Sequence, residues 1–202
     1  MEIHSTLPGY RIYEYLLVLS PHEELRNRIS QVRKEFREKY DALHTGGRPH
    51  IGLAHFTQYE MMEERIINRL NLVAMSFPPF KTELKDFGSF PSHTICLQVI
   101  SKIPVQKLVK NIRAETQRLM KWSDEQKPFF MLEPYISIAR KLKPWQYEKG
   151  WLEYSRKHFT GRFIAKEMLL LKRMAGEIPY QILKRFEFQN LPVATVQGDL
   201  FH

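Results

Sequence analysis

The sequence predicts an α+β protein of two related lobes, each of mainly antiparallel sheet with helices on the outside and a central groove between them. Three observations carry that expectation. Strand and helix periods alternate in the order strand, helix, strand, helix, strand, strand. A similar order opens again near Phe90–Ile100. Two short strands of matching pattern, Pro49–Phe56 and Pro134–Arg140, fall one in each round. The 202 residues are read as a single domain, 1–202, of two pseudo-symmetric lobes, long enough to bury a core without disulfides.

The first strand is expected at Arg11–Leu19, aromatic and aliphatic, halted by Ser20-Pro21. Ser20 with Glu23 reads as a capping box with Pro21 at the first helical position. Leu25, Ile29, Val32, Phe36, Tyr40 and Leu43 then recur at helical spacing, and Gly46-Gly47 ends the run. Pro49–Phe56 returns as a strand. Thr57 with Glu60 offers a second capping box, before a helix marked by Met62, Ile66, Leu70 and Val73 and stopped by Pro78-Pro79. Strands follow at Phe80–Asp86 and His93–Ile100, with Phe87–Ser92 as the turn.

In the second round Val105, Leu108, Ile112 and Leu119 carry a helix, Ser123–Phe129 is a loop and Pro134–Leu142 a strand. Pro144 opens a helix bearing Trp145, Trp151 and Tyr154, whose spacing reads as a face packed on a core rather than a base-stacking row. Arg162–Arg173 and Tyr180–Phe188 read as two strands of a hairpin around Ala175-Gly176-Glu177. Residues 190–202 show no period.

Lys and Arg number 31 against 22 Asp and Glu, a formal net charge of +9. Such an excess attracts phosphates, with nucleic acid the commonest partner of that kind. The alternative is that the cations coat solvent-facing helices, and Arg26, Arg28, Arg33, Lys34, Arg37 and Lys39 have that pattern. No apolar run reaches the roughly 18–20 residues that span a bilayer. The first residues lack the basic-then-apolar order of a secretory signal, so a cytoplasmic protein with no membrane partner is expected. Cys96 is the single cysteine, which excludes an internal disulfide and a cysteine zinc cluster.

Eight histidines are present, none paired at helical metal-ligand spacing, and strand alternation puts His50 and His55 on opposite faces. No metal site is therefore expected. No Gly-x-Ser-x-Gly elbow, Walker loop or dinucleotide fingerprint occurs either. The two matching strands remain. His50, Gly52 and Ala54 alternate with Ile51 and Leu53, as Tyr135, Ser137 and Ala139 alternate with Ile136 and Ile138. If the lobes are related, the small-residue faces of the two strands line one groove.

These strands resemble the paired motifs of the two-histidine phosphoesterase superfamily, in particular its 2′-5′ RNA ligase-like branch. That family carries one His-x-Thr/Ser-x motif in each lobe, and the resemblance extends over the early strand Tyr13–Pro21, both motif strands, Ala139-Arg140 and the closing Phe163–Leu171 and Tyr180–Phe186 pair. His50 matches the first histidine and Ser137 the second hydroxyl. Gly52 stands where the family has Thr or Ser, and Tyr135 where it has its second histidine.

The resemblance implies a metal-free and cofactor-free reaction at a 2′,3′-cyclic phosphate or 2′-5′ linkage. One imidazole takes a proton, the other gives one, and two hydroxyls donate to nonbridging oxygens. Histidine suits both proton jobs because its unperturbed pKa is about 6.5. A tyrosine hydroxyl, with a reference pKa of about 10, is a donor and a poor base. The departures therefore imply weak or altered phosphodiesterase activity, with His50, Tyr135 and Ser137 as catalytic candidates and Gly52 and Arg48 lining the substrate. The ligand implied is an RNA or nucleotide phosphate end. Two rivals stand beside it: a competent cyclic phosphodiesterase with Tyr135 as acid, and a scaffold that binds a protein partner. No spacing argument places His55 or His93 in the site.

Overall fold

The computed structural model describes residues 9–43, 47–91, 93–174 and 179–192. In chain order it runs β1 (Ile12–Leu19), α1 (Glu23–Tyr40), β2 (Ile51–Tyr59), a 3₁₀ turn (Glu60–Met62), α2 (Glu63–Ser76), β3 (Phe80–Phe90) and β4 (Thr94–Val99). It continues with α3 (Lys102–Met120), β5 (Phe129–Phe130), β6 (Tyr135–Ala139), α4 (Pro144–Tyr154), β7 (Thr160–Ala165), β8 (Glu167–Met174) and β9 (Gln181–Glu187). The strands form two antiparallel sheets, one in the order β5-β2-β1-β8-β9 and the other β6-β4-β3-β7. The α+β class and the bilobal arrangement expected from the sequence are what the chain adopts.

The lobes exchange helices. α1 leaves β1 of the first sheet yet packs on β6 and α4 of the second, while α3 leaves β4 of the second sheet and packs on β2 and α2 of the first. The exchange follows from apolar faces at helical spacing. Leu25, Ile29 and Phe36 of α1 are fully buried, and so are Val105, Leu108 and Ile112 of α3. Phe36 lies so close to α4 that a Cβ on Gly150 would come within 2.8 Å of its ring. Tyr154 closes the contact edge-on, 5.1 Å from Phe36. Of the three aromatics in α4 singled out above, only Tyr154 is buried; Trp151 packs partly against the core and Trp145 is exposed.

Several boundaries differ from the sequence reading. The Ser20 box does not form. The helix starts at Glu23 behind His22, and Ser20 is engaged elsewhere, donating to the Pro21 carbonyl and accepting from Arg26. Thr57 caps nothing because β2 keeps its pairing with β1 as far as Tyr59, Thr57 lying opposite Glu14. α1 stops at Tyr40, where Asp41 takes a left-handed conformation at φ 51°; Gly46 lies outside the described residues. β3 runs on to Phe90, into the expected turn Phe87–Ser92, of which Ser92 lies outside the described residues. Phe129 opens a two-residue strand instead of ending a loop.

The largest correction concerns Arg162–Arg173, which is not one strand. Its first part pairs with β3 in the second sheet as β7, and its second part with β1 in the first sheet as β8. The first half approaches alternation and the second is a continuous apolar run, and both patterns suit a strand. The pattern alone therefore does not reveal the change of sheet at Lys166, whose carbonyl accepts from the Phe188 amide at 2.8 Å. β8 and β9 do pair as antiparallel neighbours. The expected turn Ala175-Gly176-Glu177, and most of the tail, lie outside the described residues. No described helix is long and apolar enough to cross a membrane.

Candidate functional site

β2 and β6, one from each sheet, are in contact where the lobes meet. Each carries a β-bulge at the same place in its pattern. Leu17 pairs with Ala54 and Val18 with Gly52, leaving Leu53 as the extra residue. Ile95 pairs with Ala139 and Cys96 with Ser137, leaving Ile138 as the extra residue. The burial sequence is the same in both: His50, Gly52, Tyr135 and Ser137 are half-buried, while Ile51, Leu53, Ala54, Ile136, Ile138 and Ala139 are buried. The equivalence proposed from residue pattern is thus repeated in backbone geometry, and bulges of this kind re-aim side chains.

The first bulge overturns one expectation. Beyond Leu53 the alternation resumes one residue out of step, so His55, Thr57 and Tyr59 are half-buried while Phe56 and Gln58 are buried. His55 therefore falls on the face of His50 and Gly52, not the opposite one. It pairs with Leu16 of β1 and with Phe129 of β5. Burial and the neighbouring Arg173 hold its imidazole below the usual range, against the opposing pull of Glu14.

Arg33 also departs from the sequence reading. It does not coat a solvent-facing helix but is only 6% exposed. Its Nε and Nη2 donate to the Ser137 carbonyl at 2.9 and 2.6 Å, and its Nη1 to the Gly47 carbonyl at 2.7 Å. One side chain from α1 thereby ties the middle of β6 to the segment that leads into β2. The Ser137 carbonyl sits beside the bulge residue Ile138, where the ladder is locally disrupted, and Arg33 supplies it with donors. Burial, with Arg140 nearby, lowers the Arg33 pKa to about 10. The guanidinium still carries its charge at neutral pH.

His50 is placed by that segment. Its Nδ1 lies 2.8 Å from the Arg48 carbonyl. A carbonyl only accepts, so Nδ1 carries the proton and the neutral ring presents Nε2 as a bare acceptor. Burial is the main cause that holds the His50 pKa below the ordinary value; Arg33 and Arg140 push the same way, against the Arg48 hydrogen bond. Arg140 follows directly on the end of β6. Its charge is among the lesser causes that lower the His50 and Arg33 pKa values. The Arg48 side chain is exposed and lines, with Arg26, a shallow cavity of about 290 Å³ between α1 and Gly47–Pro49.

The remaining candidates are placed less openly. Tyr135 packs edge-on against Phe90 at 4.9 Å between ring centres and pairs with Gln98. Ser137 pairs with Cys96, whose thiol burial raises to about 11. Gly52 does not face open space: a Cβ there would overlap the Met131 Sδ and lie 2.9 Å from its Cε. His93 bonds its own neighbour Thr94, 2.7 Å from Nδ1, at the β3–β4 turn. The structure thus gathers His50, Arg33, Arg140 and the Ser137 backbone around the contact of β2 and β6. Arg33 and Met131 went unrecognised in the sequence. Met131 lies four residues before Tyr135 in a stretch without period, and Arg33 at a helical position flanked by surface cations.

Comparison with known proteins accords with this architecture. Residues 21–177 match the family model described as the 2′-5′ RNA ligase superfamily. The Escherichia coli LigT structure in complex with 3′-AMP superposes with a TM-score of 0.67 at 17% identity, covering 88% of this chain and 98% of that one. The TT0787 structure from Thermus thermophilus superposes with a TM-score of 0.65 at 17% identity, covering 87% and 98%. At these identities the likeness concerns the fold. No curated protein sequence matches. The matched model takes in both exchanged helices, α1 and α3, and both motif strands with their paired bulges, and the chain belongs to the 2′-5′ RNA ligase superfamily.

Proposed function

We propose that this chain is a divergent phosphoesterase-family protein that binds an RNA or nucleotide phosphate end and hydrolyses it weakly or in an altered manner. The observation that carries the reading is His50: a half-buried imidazole with Nδ1 committed to a carbonyl and Nε2 left as acceptor, whose charged neighbours Arg33 and Arg140 are both cations. Such a setting attracts an anion and keeps the ring neutral, the form in which it acts as a base. The E. coli LigT structures, solved with 3′-AMP and with phosphate, are in keeping with a ligand of that class.

For a 2′,3′-cyclic phosphate, His50 Nε2 accepts a proton from the attacking water as its oxygen bonds to phosphorus. The bond to one ribose oxygen breaks, and the Tyr135 hydroxyl supplies that oxygen with a proton. Ser137 and Arg140 hold nonbridging oxygens as their charge grows. The proton gained by His50 returns to Tyr135 through solvent, so the net change is addition of one water. The first motif supplies no hydroxyl at Gly52, and one missing donor of this kind costs about 10²–10³ in rate.

Equilibrium binding of an oligonucleotide ending in a 2′,3′-cyclic phosphate, at fixed low salt, tests the reading. Wild type binds it more tightly than the same oligonucleotide ending in a hydroxyl, and His50→Ala or Arg140→Ala weakens the preference about tenfold or more. Equal affinity for both ends, unchanged in these variants, contradicts it and favours a scaffold for another partner.

A further inference from the structure

The missing hydroxyl of the first motif and a side chain from another strand are two sides of one feature. A residue at position 52 projects on the half-buried face shared with His50. That position is already filled, because Met131 sits where a Cβ at residue 52 would be, with its Cε 2.9 Å away. Met131 is held there from behind, its backbone amide donating to the Leu53 carbonyl at 2.9 Å, and Leu53 is the bulge residue. The bulge that shapes the first motif therefore also seats the residue that covers it. A glycine in a strand interior marks such a close approach.

The chemistry of the two side chains is opposite. A Ser or Thr hydroxyl donates to a phosphate oxygen, whereas a thioether has no donor and is at most a weak acceptor. Yet methionine is unbranched, with several rotatable bonds, and only the far end of the side chain occupies the position over Gly52. It leaves that position without any movement of backbone. In the second motif Ser137 keeps a hydroxyl, and Tyr135 packs on Phe90.

We propose that Met131 determines what the first half of the site accepts: its thioether fills the place that residue 52 would serve, and phosphate oxygens enter that half only when Met131 is displaced. The inference rests on the phosphate-end reading above and adds to it that the ligand is gripped chiefly from the second motif, by Ser137 and Arg140. The glycine at 52 and the methionine at 131 then act as one coupled pair.

Binding of inorganic phosphate and of a nucleoside 3′-phosphate to the full chain tests it, with wild type, Met131→Ala, Gly52→Ser and the double variant compared. Met131→Ala binds both probes tighter, and its effect is coupled to that of Gly52→Ser by about tenfold, the scale expected between residues in contact. Gly52→Ser alone gains nothing, because its hydroxyl competes with the thioether for one place. Added to Met131→Ala, the same serine tightens binding further. Should wild type bind in a His50-dependent way while Met131→Ala binds no tighter, or should the serine act equally on both backgrounds, the role of Met131 is overturned and the phosphate site stands. Absence of binding in all four, each shown folded by circular dichroism and a cooperative melt, overturns both.

Discussion

The state of the His50 ring decides most of what the site can do. Its pKa is depressed chiefly by burial, then by Arg33 and Arg140, against a hydrogen bond to the Arg48 carbonyl. A histidine whose native pKa is lowered prefers the fold when neutral, so its contribution to stability is complete above the unfolded value of about 6.5 and is lost as pH falls through the native one. His55 has the same sign, for the same leading cause. Chemical shift titration is expected to place both imidazoles below about 6.5, the unperturbed value. Urea unfolding is expected to show stability declining as pH drops from about 7 towards about 5, with a shallower decline in His50→Gln. Stability that rises on acidification through that window contradicts the burial of the neutral ring. His50 itself was legible in the sequence, because it stands in a repeated pattern of small and aliphatic residues. Its tautomer and its cationic neighbours were not, since both depend on where Arg33 and Arg140 come to rest.

The elements that make the site depend on two bulges and one brace. Bulges belong to a pair of strands, and a single strand's alternation does not announce them. The sequence accordingly set His55 on the wrong face while placing Gly52 and Ser137 correctly on the near side of each bulge. Arg33 shows the same limit: its burial follows from the exchange of α1 into the second lobe, which only the assembled sheets reveal. Arg33→Lys keeps the charge but loses the planar fork that reaches both carbonyls. Leaving one buried carbonyl unpaired costs about 1–3 kcal/mol. Urea unfolding is expected to show a loss of that size in Arg33→Lys, together with weakened binding of a phosphate end. A wild-type midpoint in that variant contradicts the brace. The helix exchange has its own test, because a Cβ at Gly150 presses on the Phe36 ring. Gly150→Ala, favourable to an isolated helix by propensity, is expected to destabilise the protein by about 1–3 kcal/mol through overpacking.

At the scale of the molecule, two sheets meet along their motif strands, each backed by helices that include one from the other lobe. That arrangement was legible as an order of elements that opens twice. The division of strands between sheets was not, as the split of Arg162–Arg173 shows, because a strand's own residue pattern is blind to which neighbour it joins. A net charge of +9 over the whole chain favours phosphate at long range. Binding of a phosphate-ended oligonucleotide is therefore expected to weaken steeply with salt, each phosphate neutralised adding roughly 0.7 to the logarithmic slope for a single strand. The central claim is that His50 works as the remaining imidazole of a two-histidine site in which Tyr135 has taken the other place. The most direct measurement of it is hydrolysis of a 2′,3′-cyclic-phosphate oligonucleotide by wild type, His50→Ala and Tyr135→His in the presence of a chelator. The account predicts slow turnover by wild type, loss in His50→Ala and a gain of about 10²–10⁴ in Tyr135→His, the usual worth of a positioned acid or base. Turnover indifferent to His50, or no gain from a second histidine in a folded Tyr135→His protein, would contradict it.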